Sequence, residues 1–104
     1  MPQGAPILVT GATGNIGRAL VKQLSAAGVT VKALVRDPGK AAALQGPGVQ
    51  IVQGDLADSA SLEIALAGVD HVFLLSAMQP NQVELQGNLV EAARRVGRPH
   101  IVKL

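Results

Sequence analysis

Three glycines at equal spacing, Gly11, Gly14 and Gly17, fall within VTGATGNIGR, between an apolar run and a run of helical period. A loop stripped of side chains offers the chemistry of its backbone. Gly11 lets the chain turn sharply after a strand, Gly14 lets the backbone approach a pyrophosphate, and Gly17 lets a helix pack closely on a sheet. The first N–H groups of the following helix have no partner inside it and bind anions. The candidate contacts are therefore Gly11, Thr13, Gly14, Asn15, Ile16, Gly17 and Arg18. A tight turn with no ligand could use the same glycines, but the strand-turn-helix setting favours a ligand. The spacing is G-x-x-G-x-x-G, one residue longer than G-x-G-x-x-G, and no Gly-Lys-Ser/Thr follows, so the loop is not a P-loop.

A second group of candidates lies at the end of the next apolar run. In NAD-binding folds an acidic residue there holds the adenosine ribose. Here that place, nineteen residues after Gly17, is taken by Arg36. A guanidinium would pair with a 2′-phosphate through charge-assisted hydrogen bonds, enough to favour NADP over NAD by about ten- to a hundredfold. Arg18 and Lys40 could add to the same phosphate pocket. Asp37, next to Arg36, could hold the ribose instead, or the two could form a solvated turn.

Positioning these residues requires strands that end where they stand. Short runs rich in Val, Ile and Leu alternate with longer runs of helical period, which predicts a parallel sheet covered on both faces. Strands are expected at 6–10, 30–35, 49–53, 70–75 and 100–104. A helix over 15–27 carries Ile16, Leu20 and Leu24 as an inward stripe with Val21 beside them, and ends at Gly28. A shorter helix is expected over 38–45, another over 59–67 with Asp58 as N-cap and Gly68 as its stop, and the longest over 81–96. Right-handed crossovers then give the order 3-2-1-4-5, with two helices on each face. The sheet reverses direction beside strand 1, and the crevice at that point is the expected ligand site.

The 104 residues fit one domain, 1–104. Phe73 is the single aromatic and there is no Cys, Trp or Tyr, so the core must be aliphatic and a disulfide scaffold or thiolate chemistry is excluded. No basic leader and no apolar run of membrane-spanning length is present, which makes a cytoplasmic protein the expectation. Nine basic and seven acidic residues give a net charge of +2. The one cluster, Arg94, Arg95 and Arg98, sits where a helix dipole favours cations, and no aromatics accompany it; neither nucleic acid nor membrane is an expected partner. His71 and His100 precede strands and have no neighbouring pattern of metal ligands or a catalytic triad.

With TGATGNIG at the first turn, LVRD closing the second strand and GDL after the third, the chain resembles the atypical short-chain dehydrogenases/reductases, in particular NmrA-like and NAD(P)H:quinone oxidoreductase-like proteins. The resemblance implies a Rossmann-type three-layer sandwich of about five strands, and it covers only the cofactor-binding part of that family. It implies that Asp55 accepts from the adenine amino group while Leu56 packs on the ring, with a mere turn as the alternative for Asp55. Leu75, Ser76 and Ala77 match the place where the backbone passes the cofactor ribose, and Met78, Gln79 and Pro80 border the nicotinamide. Asn88 could support the loop after the fourth strand or be an exposed helix-face amide.

The resemblance also marks what this sequence lacks. The Tyr-x-x-x-Lys pair common in the superfamily cannot be here, because there is no tyrosine, and no catalytic residue is assigned. The family's later strands and substrate lobe have no counterpart, which reads as a C-terminally shortened chain. The expected function is an NADP(H)-binding domain whose complete protein passes hydride to a carbonyl or quinone-type acceptor. The alternatives are a regulatory protein that senses NADP(H) without turnover and a fragment of a nucleotide-sugar epimerase or dehydratase. The face of strands 4 and 5 away from the last helix is expected to leave alternate residues among Val72, Phe73, Leu74, Leu75, Ile101 and Val102 open to water, favouring self-association.

Overall fold

The computed structural model describes residues 6–12, 15–37, 39, 44, 46–74, 82–97 and 99–103. Five strands, β1 (Ile7–Val9), β2 (Val31–Val35), β3 (Val49–Gln53), β4 (His71–Leu74) and β5 (His100–Lys103), form one sheet in the order β3-β2-β1-β4-β5. All four pairings are parallel. The helices are α1 (Asn15–Ala26), α2 (Ser59–Leu66) and α3 (Gln82–Val96). Each helix lies within a residue of its expected range, β3 matches its range, and β1, β2 and β4 start one residue later than expected. The expected helix at 38–45 falls mostly outside the described residues.

Alternation along the strands sends side chains to two cores. Leu8, Leu34, Val72 and Leu74 meet Leu62, Ala65 and Leu66 of α2 and Leu89, Ala92 and Ala93 of α3. On the other face Val9, Val31, Ala33 and Val35 meet Val21 of α1 and Leu44, with Leu20, Leu24 and the half-buried Phe73 at the margin. Side chains that fill such cores contribute about 1.5–3 kcal/mol each. The layers are thus α1 on one face and α2 with α3 on the other, as the crossover rule demands.

The stripe expected on α1 is corrected at its first member. Leu20 and Leu24 are half-buried and Val21 is buried, but Ile16 is 68% exposed. The inward face at the start of α1 is set by Gly17, which is buried, and Ile16 lies one residue, about 100° of helix rotation, to the side.

Chain ends of the helices are closed as their residues suggest. Asp58 caps α2, its Oδ1 accepting from the Ala60 N–H at 3.2 Å. Gly28, Gly68 and Gly97 follow the helices with φ of 81°, 76° and 133°. Arg94 and Arg95 lie in the last turn of α3 and pair with Glu91 at 3.1 Å and Glu63 at 3.4 Å.

The last turn of α2 has no basic residue of its own. Lys32, from β2, supplies one: its Nζ donates to the carbonyls of Ala65 at 3.1 Å and Ala67 at 3.0 Å. An ammonium at a helix C-terminus satisfies orphan carbonyls and opposes the dipole. Lys32→Met keeps the aliphatic stem and removes both bonds. It is expected to cost about 1 kcal/mol and to lower the midpoint of thermal unfolding by about 5 °C, read by circular dichroism.

On the outer part of the α1 face, the exposed His71 and His100 pair across β4 and β5 with ring centroids 5.8 Å apart, edge to face. Of the set from which alternate residues were expected to be open, Val72 and Leu74 are buried under α2 and α3, and Ile101 packs half-buried against the same core. The residues left partly open are Phe73 and Val102, because the strand alternation turns only that set away from α3. Among the described residues no group of three His, Cys, Asp or Glu could hold a metal, and no helix is long and apolar enough to cross a membrane.

Candidate dinucleotide site

The order of the strands reverses at β1, whose neighbours are β2 and β4. At the C-terminal end of β1 the buried Thr10 is tied to β4 by its N–H, which donates to the Phe73 carbonyl at 3.1 Å. The chain then turns at Gly11, where φ is 62°, a left-handed conformation that glycine adopts at no steric cost.

Gly17 comes back against this turn. A Cβ on Gly17 would stand 2.1 Å from the Gly11 carbonyl oxygen and 2.8 Å from the Ala12 Cα. No side chain fits there, so the start of α1 rests directly on the turn, with Asn15 as its first residue. The first turn of α1 consequently stands beside the C-terminal end of β1. The charge pattern around it is unusual for a helix start: α1 has no acid in its first turn, and the exposed Arg18 lies there instead.

The neighbouring turns lie at the same edge of the sheet. Arg36 follows β2 and is exposed, and the Gly54 N–H after β3 donates to the Val35 carbonyl at 2.9 Å, so the ends of β2 and β3 are joined. The adjacent Asp37 turns on itself, Oδ1 accepting from the Gly39 N–H at 3.0 Å. That bond engages one carboxylate oxygen in a local turn.

The turn after β3 is built in detail. Gly54 is buried, and a Cβ on it would meet Leu34 Cδ1 at 2.6 Å. Asp55 Oδ1 accepts from the Ala57 N–H at 2.9 Å, and the Asp55 carbonyl accepts from the Asp58 N–H at 2.8 Å. Ser61, from α2, accepts from the Asp55 N–H at 3.1 Å and donates to the Asp58 carbonyl at 2.8 Å. Asp55 therefore takes part in the turn, the structural role weighed as its alternative. Leu56 is half-buried against the α2 and α3 core.

Asn88 is half-buried, and its Nδ2 donates to the Leu56 carbonyl at 2.9 Å. The partner found for it is the turn after β3, not an exposed helix face; the loop after the fourth strand, its other expected place, lies outside the described residues. Ser61 had a sequence signal that went unread, a hydroxyl three residues after the Asp58 cap, where it reaches back to the helix start. The bond of Asn88 had none.

Gly11, Gly17, Ile16, Arg18, Arg36, Asp55 and Leu56 are thus found at or beside the C-terminal edge of β1, β2 and β3. Thr13, Gly14, Lys40, Leu75, Ser76 and Ala77, with Met78, Gln79 and Pro80, lie outside the described residues.

The family model of NmrA-like proteins matches residues 3–103. The chain belongs to the NmrA-like family. Its curated relatives include an NAD(P)H azoreductase of Xenophilus azovorans, 45% identical over 96 residues, a match that covers 92% of this chain and 34% of that protein. Quinone oxidoreductase 2 of Escherichia coli is 36% identical over 94 residues, covering 88% and 33%. Among solved structures, an NADPH-dependent quinone oxidoreductase from Escherichia coli complexed with NADPH superposes with a TM-score of 0.83 at 34% identity, over 93% of this chain and 35% of that one. The Citrobacter triphenylmethane reductase complexed with NADP(H) gives 0.79 at 38% identity, over 94% and 36%. The sheet order and helices are those of Rossmann-type oxidoreductases, and the chain spans about a third of the length of these relatives.

Proposed function

We propose that residues 1–104 form one NADP(H)-binding unit of an NmrA-like oxidoreductase, which in the complete protein passes hydride from NADPH to a carbonyl or quinone-type acceptor. The observation that carries this reading is the seat of Gly17 on Gly11, a cradle that any Cβ would fill. It sets the first turn of α1 beside the end of β1 where the strand order reverses, which is where doubly wound sheets bind dinucleotides. The exposed Arg36 at the end of β2 fits the 2′-phosphate, with the exposed Arg18 in the first turn of α1 adding to the same pocket. The 68% exposure of Ile16 at the same helix start fits an apolar surface of the cofactor. Similarity to reductases solved with NADPH and NADP(H) supports the same assignment.

When bound, the dinucleotide supplies the hydride. The residues of this chain bind and orient it. The glycine turn and the first amides of α1 hold the pyrophosphate, Arg36 pairs with the 2′-phosphate, and Asp55 with Leu56 meets the adenine through a carboxylate oxygen and an apolar side chain.

Titration with NADPH and NADH tests the reading. NADPH is expected to bind about ten- to a hundredfold more tightly, and Arg36→Ala to remove that difference. Equal affinities, unchanged in Arg36→Ala, would overturn the NADP preference, and no binding of either would overturn the site. Steady-state NADPH oxidation by the full-length protein with quinones and carbonyls tests the reaction; binding without turnover on any of them would overturn the oxidoreductase.

A further inference from the structure

We propose that Asn88 is a positioning residue for the adenine end of the site, holding from α3 the turn after β3 that Ser61 holds from α2. The proposal rests on the reading that this turn meets the adenine.

The two holds on the turn come from different helices. Ser61 binds the main chain of Asp55 and Asp58 from within α2, six and three residues away, so it moves with the segment it braces. Asn88 reaches the Leu56 carbonyl from α3, 32 residues away in sequence. A carbonyl only accepts, so the amide must present its nitrogen, and its orientation is fixed. The platform behind it is firm: Leu85, Leu89, Ala92 and Ala93 are buried on either side of Asn88 along α3. Leu56 itself packs against the same core as Leu89, Ala92 and Ala93. The bond therefore refers the position of the Leu56 backbone, and with it the neighbouring Asp55 carboxylate, to the body of the sheet rather than to the turn alone.

Without that bond the Leu56 carbonyl is free to rotate, and the local contacts of Asp55, Ala57 and Asp58 hold the turn alone and open more often. The adenine-facing geometry becomes one of several, and affinity falls by the fraction of time it is lost. Substitution at Asn88 should leave the α3 core side chains seated, because none of them is touched.

The experiment compares the wild-type chain with Asn88→Ala and Asn88→Asp, using 2′,5′-ADP as probe. Both variants are expected to bind it about three- to tenfold more weakly at neutral pH. Amide exchange should quicken at Ala57 and Asp58 and stay unchanged within α3 and β1. Asn88→Asp is isosteric and lacks a donor when ionised, so its affinity relative to wild type should climb as the pH falls from about 7 towards 4 and the carboxyl regains a proton to donate. A general structural role would give no such recovery. Wild-type binding that Asn88→Ala leaves unaltered, or faster exchange spread through α3, overturns the proposal alone. Failure of the wild type to bind 2′,5′-ADP removes the reading beneath it as well.

Discussion

Gly17→Ala is expected to cost about 3 kcal/mol or more in stability and to weaken dinucleotide binding by more than about a hundredfold. The added methyl would stand 2.1 Å from the Gly11 oxygen, 2.9 Å from the Gly11 carbonyl carbon and 2.8 Å from the Ala12 Cα. All three are backbone atoms, so no side chain can swing away and relieve the contact. Either α1 withdraws from the sheet or the Gly11 turn opens. Withdrawal lifts Val21, Leu20 and Leu24 from their core, and it also carries the first amides of α1 away from the place where a phosphate would lie. Both consequences follow from one displacement, which is why stability and affinity should fall together. Gly87→Ala is the control, because Gly87 is an exposed glycine within α3 with nothing within 4 Å of its added Cβ. There alanine is expected to raise stability by about 0.5–1 kcal/mol, since it is the better helix former. Urea unfolding of both variants, with NADPH titration under conditions where each is folded, separates the effects. Gly17→Ala with wild-type affinity would mean that the glycine seat does not set the phosphate site.

The contrast between these glycines shows what could be read from the sequence and what could not. Gly17 stood out because its spacing from Gly11 and its place between an apolar run and a helical run allow few other purposes. Gly28 and Gly68 were readable as helix ends because they fall where apolar periodicity stops, and their positive φ values agree. The strands were readable as short runs rich in Val, Ile and Leu between turn residues, even though the edge strand β3 has no buried residue and exposes Gln50 and Gln53. Ile16 was misread because periodicity gives the face of a helix but not the point on it that comes nearest the sheet, and here the near point is a residue with no side chain. Lys32 and Asn88 were beyond reach for a related reason. Each acts on a carbonyl more than thirty residues away, 33 for Ala65 and 32 for Leu56, and the meeting depends on how a strand or helix is set over its neighbour. Asp37 and Asp55 form a third kind. Their tendency to bend the chain was legible, and in each one carboxylate oxygen accepts within a turn.

Leu62→Ala is expected to remove about 2–5 kcal/mol, a large part of the roughly 5–15 kcal/mol that holds a chain of this size folded. Leu62 is fully buried among Leu8, Leu34, Val72 and the α3 residues Leu89 and Ala92, so the truncation leaves a cavity at the centre of one core. The midpoint of thermal unfolding should fall by roughly 10–25 °C. Ile64, two residues on in the same helix, is 73% exposed, and Ile64→Ala should change stability by less than about 0.5 kcal/mol. The pair keeps the helix, the number of residues changed and the aliphatic chemistry nearly constant, and varies only the side that faces the sheet. The effect should extend to the site. α2 begins at the Asp58 cap and carries Ser61, so a loosened α2 also loosens the turn that bears Asp55 and Leu56. Saturating NADPH binds the folded state alone and should return part of the lost midpoint in Leu62→Ala, by mass action. Equal losses in the two variants would mean that α2 is not seated on the sheet by Leu62, and the turn after β3 would then lack the anchor on which its geometry depends.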